Sequence, residues 1–447
     1  MNARRVEFRV TWMLLLCATV FLSRAAAAQP SEELARPVFY GPEADLRAYV
    51  DEAVVRHPRV REALARYRSA LQTVPQAKAL PDPMFTFTQA IQSVETRVGP
   101  QLNTFMYTQA FPWFGTLDLR ERVAVQAAVA QYHQYVATQR DVIARVKQAY
   151  YDLAYVDMAL LVTEQEQSLL EHYEQLAQTR FATGQGLQQG VIRLQAEITQ
   201  VINRLEMLRQ QRATLAARLN TLRDRAPETP VPPVAPAPLP VVALDLEALY
   251  ALGDQYRPEL HAGTALIERS ERSVALARNA SRPNFTVGVG YQNIRGRRDP
   301  VGRLAPPPDN GKNPLTVSLG LTIPLWAGKN RATLEQAGED LMAQRYGYAA
   351  VRNTMEFDVR DAVIRLQTLR DQIDLFERVL IPQTEETLRA TEAAYETAQL
   401  GVLDLLDSER MQLDVRLVTA RYSADYLVTL AELERAIGTT VPLTAEQ

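Results

Sequence analysis

The chain has 447 residues and a formal net charge of −3, and its sequence contains a single cysteine. A mildly acidic balance gives no support to a nucleic-acid partner, and one cysteine cannot form an internal disulfide. The fold must therefore be held by packing or by assembly.

Residues 1–28 have the pattern of a cleaved export signal. Three arginines precede a short apolar run, and small residues over 25–28 offer a cleavage site. Cys17 lies inside the apolar run and follows three leucines, whereas a lipid-acceptor cysteine needs a small residue before it. We therefore expect cleavage after Ala28 rather than lipidation of Cys17. No other segment reaches the length of about 18 continuous apolar residues that a transmembrane helix needs.

The first half of the exported chain, residues 29–226, is predicted to contain two strands and two long helices. Aromatic or aliphatic residues alternate with Thr and other small or polar residues over 84–92 and 104–111, which is the period of a β-strand. Residues 116–183 contain neither Gly nor Pro and predict one helix roughly 100 Å long. Residues 191–226 form a second such run and predict a second helix.

Apolar residues in the long helix recur at a spacing of seven, which is typical of helices that pack along a partner. The recurring residues are Val142 and Val146, Ala149 and Leu153, and Val156 and Leu160. Gly184 and Gly186 then predict the end of the helix and a tight turn.

The pattern of the first half recurs in the second half, residues 241–447, after a linker at 227–240. The linker has seven prolines in 14 positions, so we expect it to be stiff, extended and exposed to solvent. The predicted elements of the second half are strands at 285–293 and 315–323 and helices at 329–399 and 402–437. Gly338, Gly347 and Pro382 predict bends in the first of these helices. The chain is therefore two copies of one unit.

The strands decide the fold class. Each has one apolar face and one face of small and polar residues, and its length of roughly 30 Å suits a tilted membrane strand. A soluble sandwich is the alternative, but four strands attached to long helices leave no second layer to cover the apolar face. Four strands also cannot close a barrel, whereas three chains supply twelve. We therefore predict a mainly α fold with a small β part, in which a 12-stranded β-barrel, four strands per chain, continues into a trimeric α-helical coiled-coil barrel.

Four motifs occur in the same order, and with the same duplicated spacing, as in the members of a known family. They are Leu80-Pro81-Asp82-Pro83-Met84, Phe111-Pro112-Trp113-Phe114-Gly115, Ile381-Pro382-Gln383 and Leu403-Asp404-Leu405-Leu406-Asp407. With them the chain resembles the TolC family of outer-membrane efflux proteins over essentially its whole exported length. The resemblance implies a trimeric TolC-like channel-tunnel in the cell outer membrane, with a long periplasmic extension.

The resemblance also implies partners and a mechanism. Such a homotrimer docks onto a periplasmic adaptor (membrane fusion) protein and an inner-membrane efflux pump, and it conducts solutes passively, with no catalysis and no cofactor of its own. The motifs at the two strand–helix junctions are most similar to members paired with resistance-nodulation-division (RND) pumps, which export metal ions or drugs.

The resemblance places a periplasmic entrance in the second repeat. Asp404 and Asp407 match two aspartates that line the entrance in family members, and Tyr395 matches the gate tyrosine. The family's gating arginine falls on Leu400, and its acidic partner falls on Gly190, so the polar lock of the best-known members is incomplete here. Without the resemblance, an Asp pair at this spacing would indicate a solvated helix face.

The ends of the long elements predict where the chain meets its surroundings. The turns at 184–190 and 398–401 lie at the far end of helices that begin at the membrane, so we expect them to contact the adaptor. Small residues there allow close docking, and the glycines concerned are Gly184, Gly186, Gly190 and Gly401. The segments 93–103 and 295–314 join membrane strands and are the expected extracellular loops.

Two other functions fit parts of the sequence. An exported coiled-coil scaffold or adhesin without a pore explains the heptads but not the strands, and a type I protein secretion system uses a similar outer-membrane conduit. No transition-metal site is predicted, because the exported chain has no cysteine and its histidines are scattered. These are His57, His133, His172 and His261. No nucleophile–base or phosphate-loop motif predicts catalysis either.

Overall fold

The computed structural model describes residues 44–397 and 399–443. The predicted export signal lies outside these residues, and so does Ala398 in the second hairpin turn. Among the helices described, none is both long and apolar enough to cross a bilayer.

The elements of the two halves follow the same order. The first repeat contains α1 (Ala44–Arg56), α2 (Pro58–Lys78), β1 (Met84–Gln89), β2 (Gln101–Phe111), α3 (Thr116–Ala182) and α4 (Gln188–Leu222). The second contains α5 (Leu246–Tyr256), α6 (Pro258–Asn279), β3 (Asn284–Ile294), α7 (Pro300–Leu304), β4 (Leu315–Thr322), α8 (Ala327–Leu375), a π-helical turn (Phe376–Leu380), α9 (Ile381–Glu396) and α10 (Val402–Ile437). The predicted mainly helical fold with a small β part and two internal repeats is confirmed.

The four strands form one antiparallel sheet in the order β1-β2-β3-β4. Its register separates two faces. One row across the sheet is apolar and contains Phe85, Tyr107, Val289 and Val317. The next row, on the opposite face, contains Thr86, Met106, Gly290 and Thr316. The apolar face is open in the single chain, with Phe85 65% and Val317 72% exposed.

The strand ends differ slightly from the prediction. β1 stops at Gln89, before the predicted end at residue 92. β2 already begins at Gln101, because Gln101 pairs with Ile294 of β3 and the carbonyl of Leu102 accepts a hydrogen bond from the amide of Ala90 at 2.8 Å. The two loops also pair with each other, since the amide of Arg295 donates to the carbonyl of Pro100 at 3.0 Å. These main-chain bonds join distant segments, so single-strand periodicity does not reveal them.

The core of the helical part follows the heptad positions of α3. Val142, Val146, Ala149, Leu153 and Val156 are all at most 1% exposed. Burying such side chains stabilises a fold by about 1.5–3 kcal/mol for each Val or Leu. Tyr150 and Tyr151 on adjacent faces are buried as well, because several helices pack around α3.

The second long helix is interrupted at one place. α8 continues through Gly338 and Gly347, and the break falls on the π-helical turn Phe376–Leu380 just before Pro382. Proline lacks an amide hydrogen and crowds the carbonyl four residues earlier, and a widened turn removes that conflict.

The sequence predicts a proline-rich linker that is exposed to solvent, but in the structure parts of this linker are buried. Val231 and Val234 are buried. The amide of Val234 donates to Oδ2 of Asp157 at 2.8 Å, and Arg212 donates to the carbonyl of Val231 at 3.1 Å. α4 also ends at Leu222, before the predicted 226, because Asp224 takes a left-handed conformation with φ of 57°. The linker is thus attached to the side of α3 and α4.

Candidate functional site

Two hairpin turns lie side by side at the end of the helices remote from the sheet. The first joins α3 to α4, and the second joins α9 to α10. They line a shared cleft of about 420 Å³. A β-carbon placed on Gly190 would lie 3.6 Å from Cγ1 of Val402, so the starts of α4 and α10 are almost in contact.

The glycines of the first turn serve its geometry. Gly184 has φ of +74°, a region that side-chain-bearing residues rarely adopt. A β-carbon on Gly186 would lie 3.1 Å from Cβ of Arg180 and 3.2 Å from the amide nitrogen of Phe181. The turn can therefore fold back tightly on the end of α3. Gly190 lies in the first turn of α4, and Gly401 immediately precedes α10.

Tyr395 lies buried between the two hairpins at 5% exposure. The guanidinium of Arg180, from α3, lies 4.6 Å from the centre of its ring. Arg180 also donates to the carbonyls of Tyr395 at 2.7 Å and Glu396 at 2.8 Å. Burial raises the pKa of the Tyr395 hydroxyl, so this side chain stays neutral. Arg180 thus connects the first hairpin to the last turn of α9.

A second polar connection lies further up the same helices. The hydroxyl of Tyr173, on α3, donates to Oε1 of Glu392 on α9 at 2.5 Å and lies 3.2 Å from Oε1 of Glu409 on α10. Its ring meets that of Tyr395 edge-on, with centroids 6.3 Å apart. Burial raises the pKa of Glu409 to about 7, while its hydrogen bond with Tyr173 acts in the opposite direction. Burial and the two carboxylates raise the pKa of Tyr173.

Two further carboxylates are buried on the first hairpin's helices. Glu197 on α4 forms a two-pronged ion pair with Arg410 on α10. Glu166 on α3 is 7% exposed, its Oε2 has no hydrogen-bond partner among the described residues, and Arg204 is 4.0 Å away. Burial raises the pKa of Glu166 to about 7, and Arg204 opposes this rise.

The two aspartates expected at the entrance are solvent-exposed in the single chain. Asp404 accepts a hydrogen bond from the amide of Gly401 at 3.3 Å, so it caps the start of α10. Leu405 and Leu406 between the two aspartates are buried, which places Asp404 and Asp407 together on the outer side of the helix. Leu400, at the position of the family's gating arginine, is 40% exposed.

Sequence reasoning missed Arg180, Tyr173, Glu392 and Glu409. A signal was available, because Tyr173 and Arg180 are seven apart on α3 and Glu392 is three residues before Tyr395 on α9. Each pair therefore shares a helix face. The spacing does not reveal which helix faces which, and only the fold supplies that. The expected lock arginine is absent at Leu400, but an arginine from the other repeat contacts the tyrosine.

The histidines are not all scattered in space. The rings of His133 on α3 and His261 on α6 stack with centroids 5.1 Å apart, across the two repeats. Burial and the neighbouring imidazole lower the pKa of His133. Within residues 44–397 and 399–443, no three His, Cys, Asp or Glu side chains are grouped so that they could hold a metal ion.

Comparison with known proteins gives concordant matches. The family model described as outer membrane efflux protein matches residues 250–439, which lie in the second repeat. Outer membrane protein TolC of Vibrio cholerae serotype O1 is 25% identical over 347 residues, which are 72% of this chain and 73% of that protein.

Solved structures match over both repeats. The outer-membrane channel OprN has a TM-score of 0.75 at 17% identity and covers 88% of this chain and 90% of its own. CusC has a TM-score of 0.74 at 16% identity, with 91% and 96% covered. The open state of the Neisseria gonorrhoeae channel MtrE has a TM-score of 0.71 at 19% identity, with 90% and 91% covered. The fold is thus the one that these outer-membrane channels share.

Proposed function

We propose that this chain, as a member of the TolC family of outer-membrane efflux proteins, is the passive outer-membrane conduit of a tripartite pump, with an entrance closed by its two hairpins. The family is one of transport channels rather than enzymes. The proposal rests on one observation. The same chain has an open apolar sheet at one end of its long helices and, at the other end, two hairpins that are connected by polar contacts.

A homotrimer would pair the two edge strands of the sheet and close it into a barrel. In the described residues, β1 and β4 are edge strands, and the apolar face is uncovered. An unpaired edge is not tolerated in lipid, so the sheet must continue into other copies. Three copies give twelve strands around a lumen lined by the Thr, Ser and Gly face.

We name as hairpin ties the contacts of Arg180 with Tyr395 and Glu396, of Tyr173 with Glu392 and Glu409, and of Glu197 with Arg410. All of them connect the α3–α4 pair to the α9–α10 pair. Polar ties of this kind have a defined geometry and are lost when two helix pairs slide past each other. We infer that they hold the entrance closed and that opening separates the two pairs.

The exposed aspartates then face the entrance in the trimer. Asp404 and Asp407 from three chains form two rings of carboxylates, which favour cations over anions. The hairpin tips, which carry Gly184 and Gly401, contact a periplasmic adaptor protein. The adaptor is served by an inner-membrane pump, for which we propose the RND type, with metal ions or drugs as cargo.

Two neighbouring residues of β4 test the assembly. Leu319 is 83% exposed on the apolar face, and Ser318 lies on the opposite face. Leu319→Lys places a charge in lipid at a cost of about 2–4 kcal/mol, whereas Ser318→Lys places the same charge in the aqueous lumen.

The measurements are the mass and heat-modifiable migration of the detergent-purified protein and its conductance in planar bilayers. We expect a conducting trimer for the wild type and for Ser318→Lys, and loss of assembly for Leu319→Lys. A non-conducting wild-type protein, or equal behaviour of the two lysine variants, would contradict the proposed conduit.

A further inference from the structure

The junction between the sheet and the long helices carries an aromatic cluster on the apolar side. Trp113 stacks on Phe285 with centroids 5.7 Å apart, and Phe114 lies 5.9 Å from the same ring. Phe285 pairs with Leu321 in the register of the apolar face. The guanidinium of Arg282 lies 5.9 Å from the centre of the Trp113 ring. Arg282 is thus placed beside the apolar face rather than the lumen face.

The corresponding junction of the second repeat is also aromatic and open. Leu325 is 78% and Trp326 76% exposed, and Phe114 in the first repeat is 78% exposed. Such exposure of large apolar side chains at the edge of an apolar sheet is typical of the level where a membrane meets water. Lys329 follows Trp326 within the first turn of α8.

The same level of the molecule is strongly basic. We define the junction band as residues 78–83, 113–122, 278–284 and 324–331. It holds seven cationic side chains and three carboxylates, a net charge of +4 in a chain whose total is −3. The cations are Lys78, Arg120, Arg122, Arg278, Arg282, Lys329 and Arg331.

In the single chain, most of these cations are exposed and have no ion-pair partner in the part of the chain that the structure describes. Lys78 pairs with Glu121 at 2.9 Å and Arg122 with Asp118 at 3.0 Å. The other five, Arg282 and Lys329 among them, have no carboxylate of the described residues within ion-pair distance. The band therefore combines amphipathic aromatic rings with unpaired positive charge, and a charged lipid headgroup is complementary to both.

We propose that the junction band binds the headgroups of anionic phospholipids in the leaflet on the helical side of the sheet. The proposal rests on the proposed function, since it takes the sheet to span the outer membrane. Arg282 donates to the phosphate while Trp113 holds its guanidinium in place, and Phe114 and Trp326 lie at the headgroup level. The net charge selects anionic over zwitterionic lipids.

Tryptophan fluorescence can report directly on lipids that bind to the junction band. Its three tryptophans are Trp12, within the predicted export signal, and Trp113 and Trp326, both in the junction band. In a Trp12→Phe background, all tryptophan fluorescence therefore comes from the band. The protein is reconstituted in mixed phosphatidylcholine and phosphatidylglycerol vesicles in which one or the other lipid carries bromine as a quencher.

We expect brominated phosphatidylglycerol to quench more strongly at equal mole fraction, with a local enrichment of about threefold at low salt that declines in high salt. Arg282→Gln should reduce the enrichment clearly, while Arg282→Lys should retain most of it. The matched control is Arg61→Gln, which removes an exposed arginine without an ion pair among the described residues, near the other end of α2.

Equal quenching by the two lipids, or an unchanged preference in Arg282→Gln, would overturn the proposal. Conductance of the same vesicle preparations separates it from the proposed function. A protein that conducts but shows no lipid preference refutes the lipid site alone, and one that is quenched selectively but does not conduct refutes the conduit alone.

Discussion

Arg180→Ala is the perturbation that tests the proposed gate most sharply. The side chain makes two hydrogen bonds to carbonyls at the end of α9 and one cation–π contact with Tyr395. The arginine is half-exposed, so we take about 1 kcal/mol for each hydrogen bond and about 0.5–1 kcal/mol for the ring contact. The variant should therefore weaken the closed arrangement by about 2–3 kcal/mol per chain.

This loss corresponds to a shift of about 30- to 150-fold in the ratio of closed to open entrance for each chain. We expect a higher open probability in planar bilayers at fixed voltage and salt. Arg180→Lys should give an intermediate result, because a lysine keeps the charge but lacks the planar fork that reaches two carbonyls.

Arg193 supplies the matched control. It lines the same cleft on α4, is exposed, and makes no hydrogen bond or ion pair with the described residues. Arg193→Ala should leave the open probability near the wild-type value. If Arg180→Ala also leaves it there, or if both variants raise it equally, the Arg180 tie does not hold the entrance closed.

Three further predictions concern the same end of the molecule. For Glu409, burial raises the pKa from the ordinary 4.5 to about 7, so the packed arrangement gains stability as pH falls from about 7 toward 4.5 and loses that stability as pH rises back through about 7. The wild-type open probability should therefore fall between pH 8 and pH 5.5, and Glu409→Gln should be more closed at pH 8 with a smaller pH response. Combined Asp404→Ala and Asp407→Ala should lower cation selectivity and block by multivalent cations, and unchanged reversal potentials would mean that the pair is merely solvated. A bulky or charged residue inserted at Gly184 or Gly401 should abolish efflux in cells while leaving trimers intact, and normal efflux would argue against adaptor contact at the tips.

Local patterns in the sequence predict most of the fold, because strand alternation and helix heptads depend on neighbouring residues. The residues that recur every seven positions in α3 are buried, apart from the half-buried Leu160, and the alternating residues of β2 and β3 separate the two faces of the sheet. Helix and strand ends were less well predicted. The end of α4 depends on Asp224, a residue that carries no strong stop signal in sequence.

The candidate site could be predicted only in part. The resemblance supplied Tyr395 and the aspartates, but the absence of an arginine at position 400 suggested an incomplete lock. The arginine that contacts Tyr395 is Arg180, more than 200 residues earlier in the chain. The stacking of His133 on His261 joins the two repeats in the same way. Contacts at such separation require knowledge of which helices are neighbours, which periodicity does not provide.

A disulfide across the two hairpins tests the central claim most directly. A β-carbon on Gly190 would lie 3.7 Å from Cβ of Val402, close to the separation of about 3.8 Å in disulfides. The sequence has no cysteine apart from Cys17, in the predicted export signal, so Gly190→Cys with Val402→Cys introduces the two thiols that can form the bridge. The single-cysteine variants are the controls.

The measurement is single-channel conductance of the doubly substituted protein before and after addition of a reductant, with the bridge verified by mass. The proposed gate predicts that the oxidised protein stays closed and that reduction restores the openings seen in the single-cysteine controls. Openings of normal size and frequency while the bridge is intact would show that the entrance does not open by separating the two hairpins.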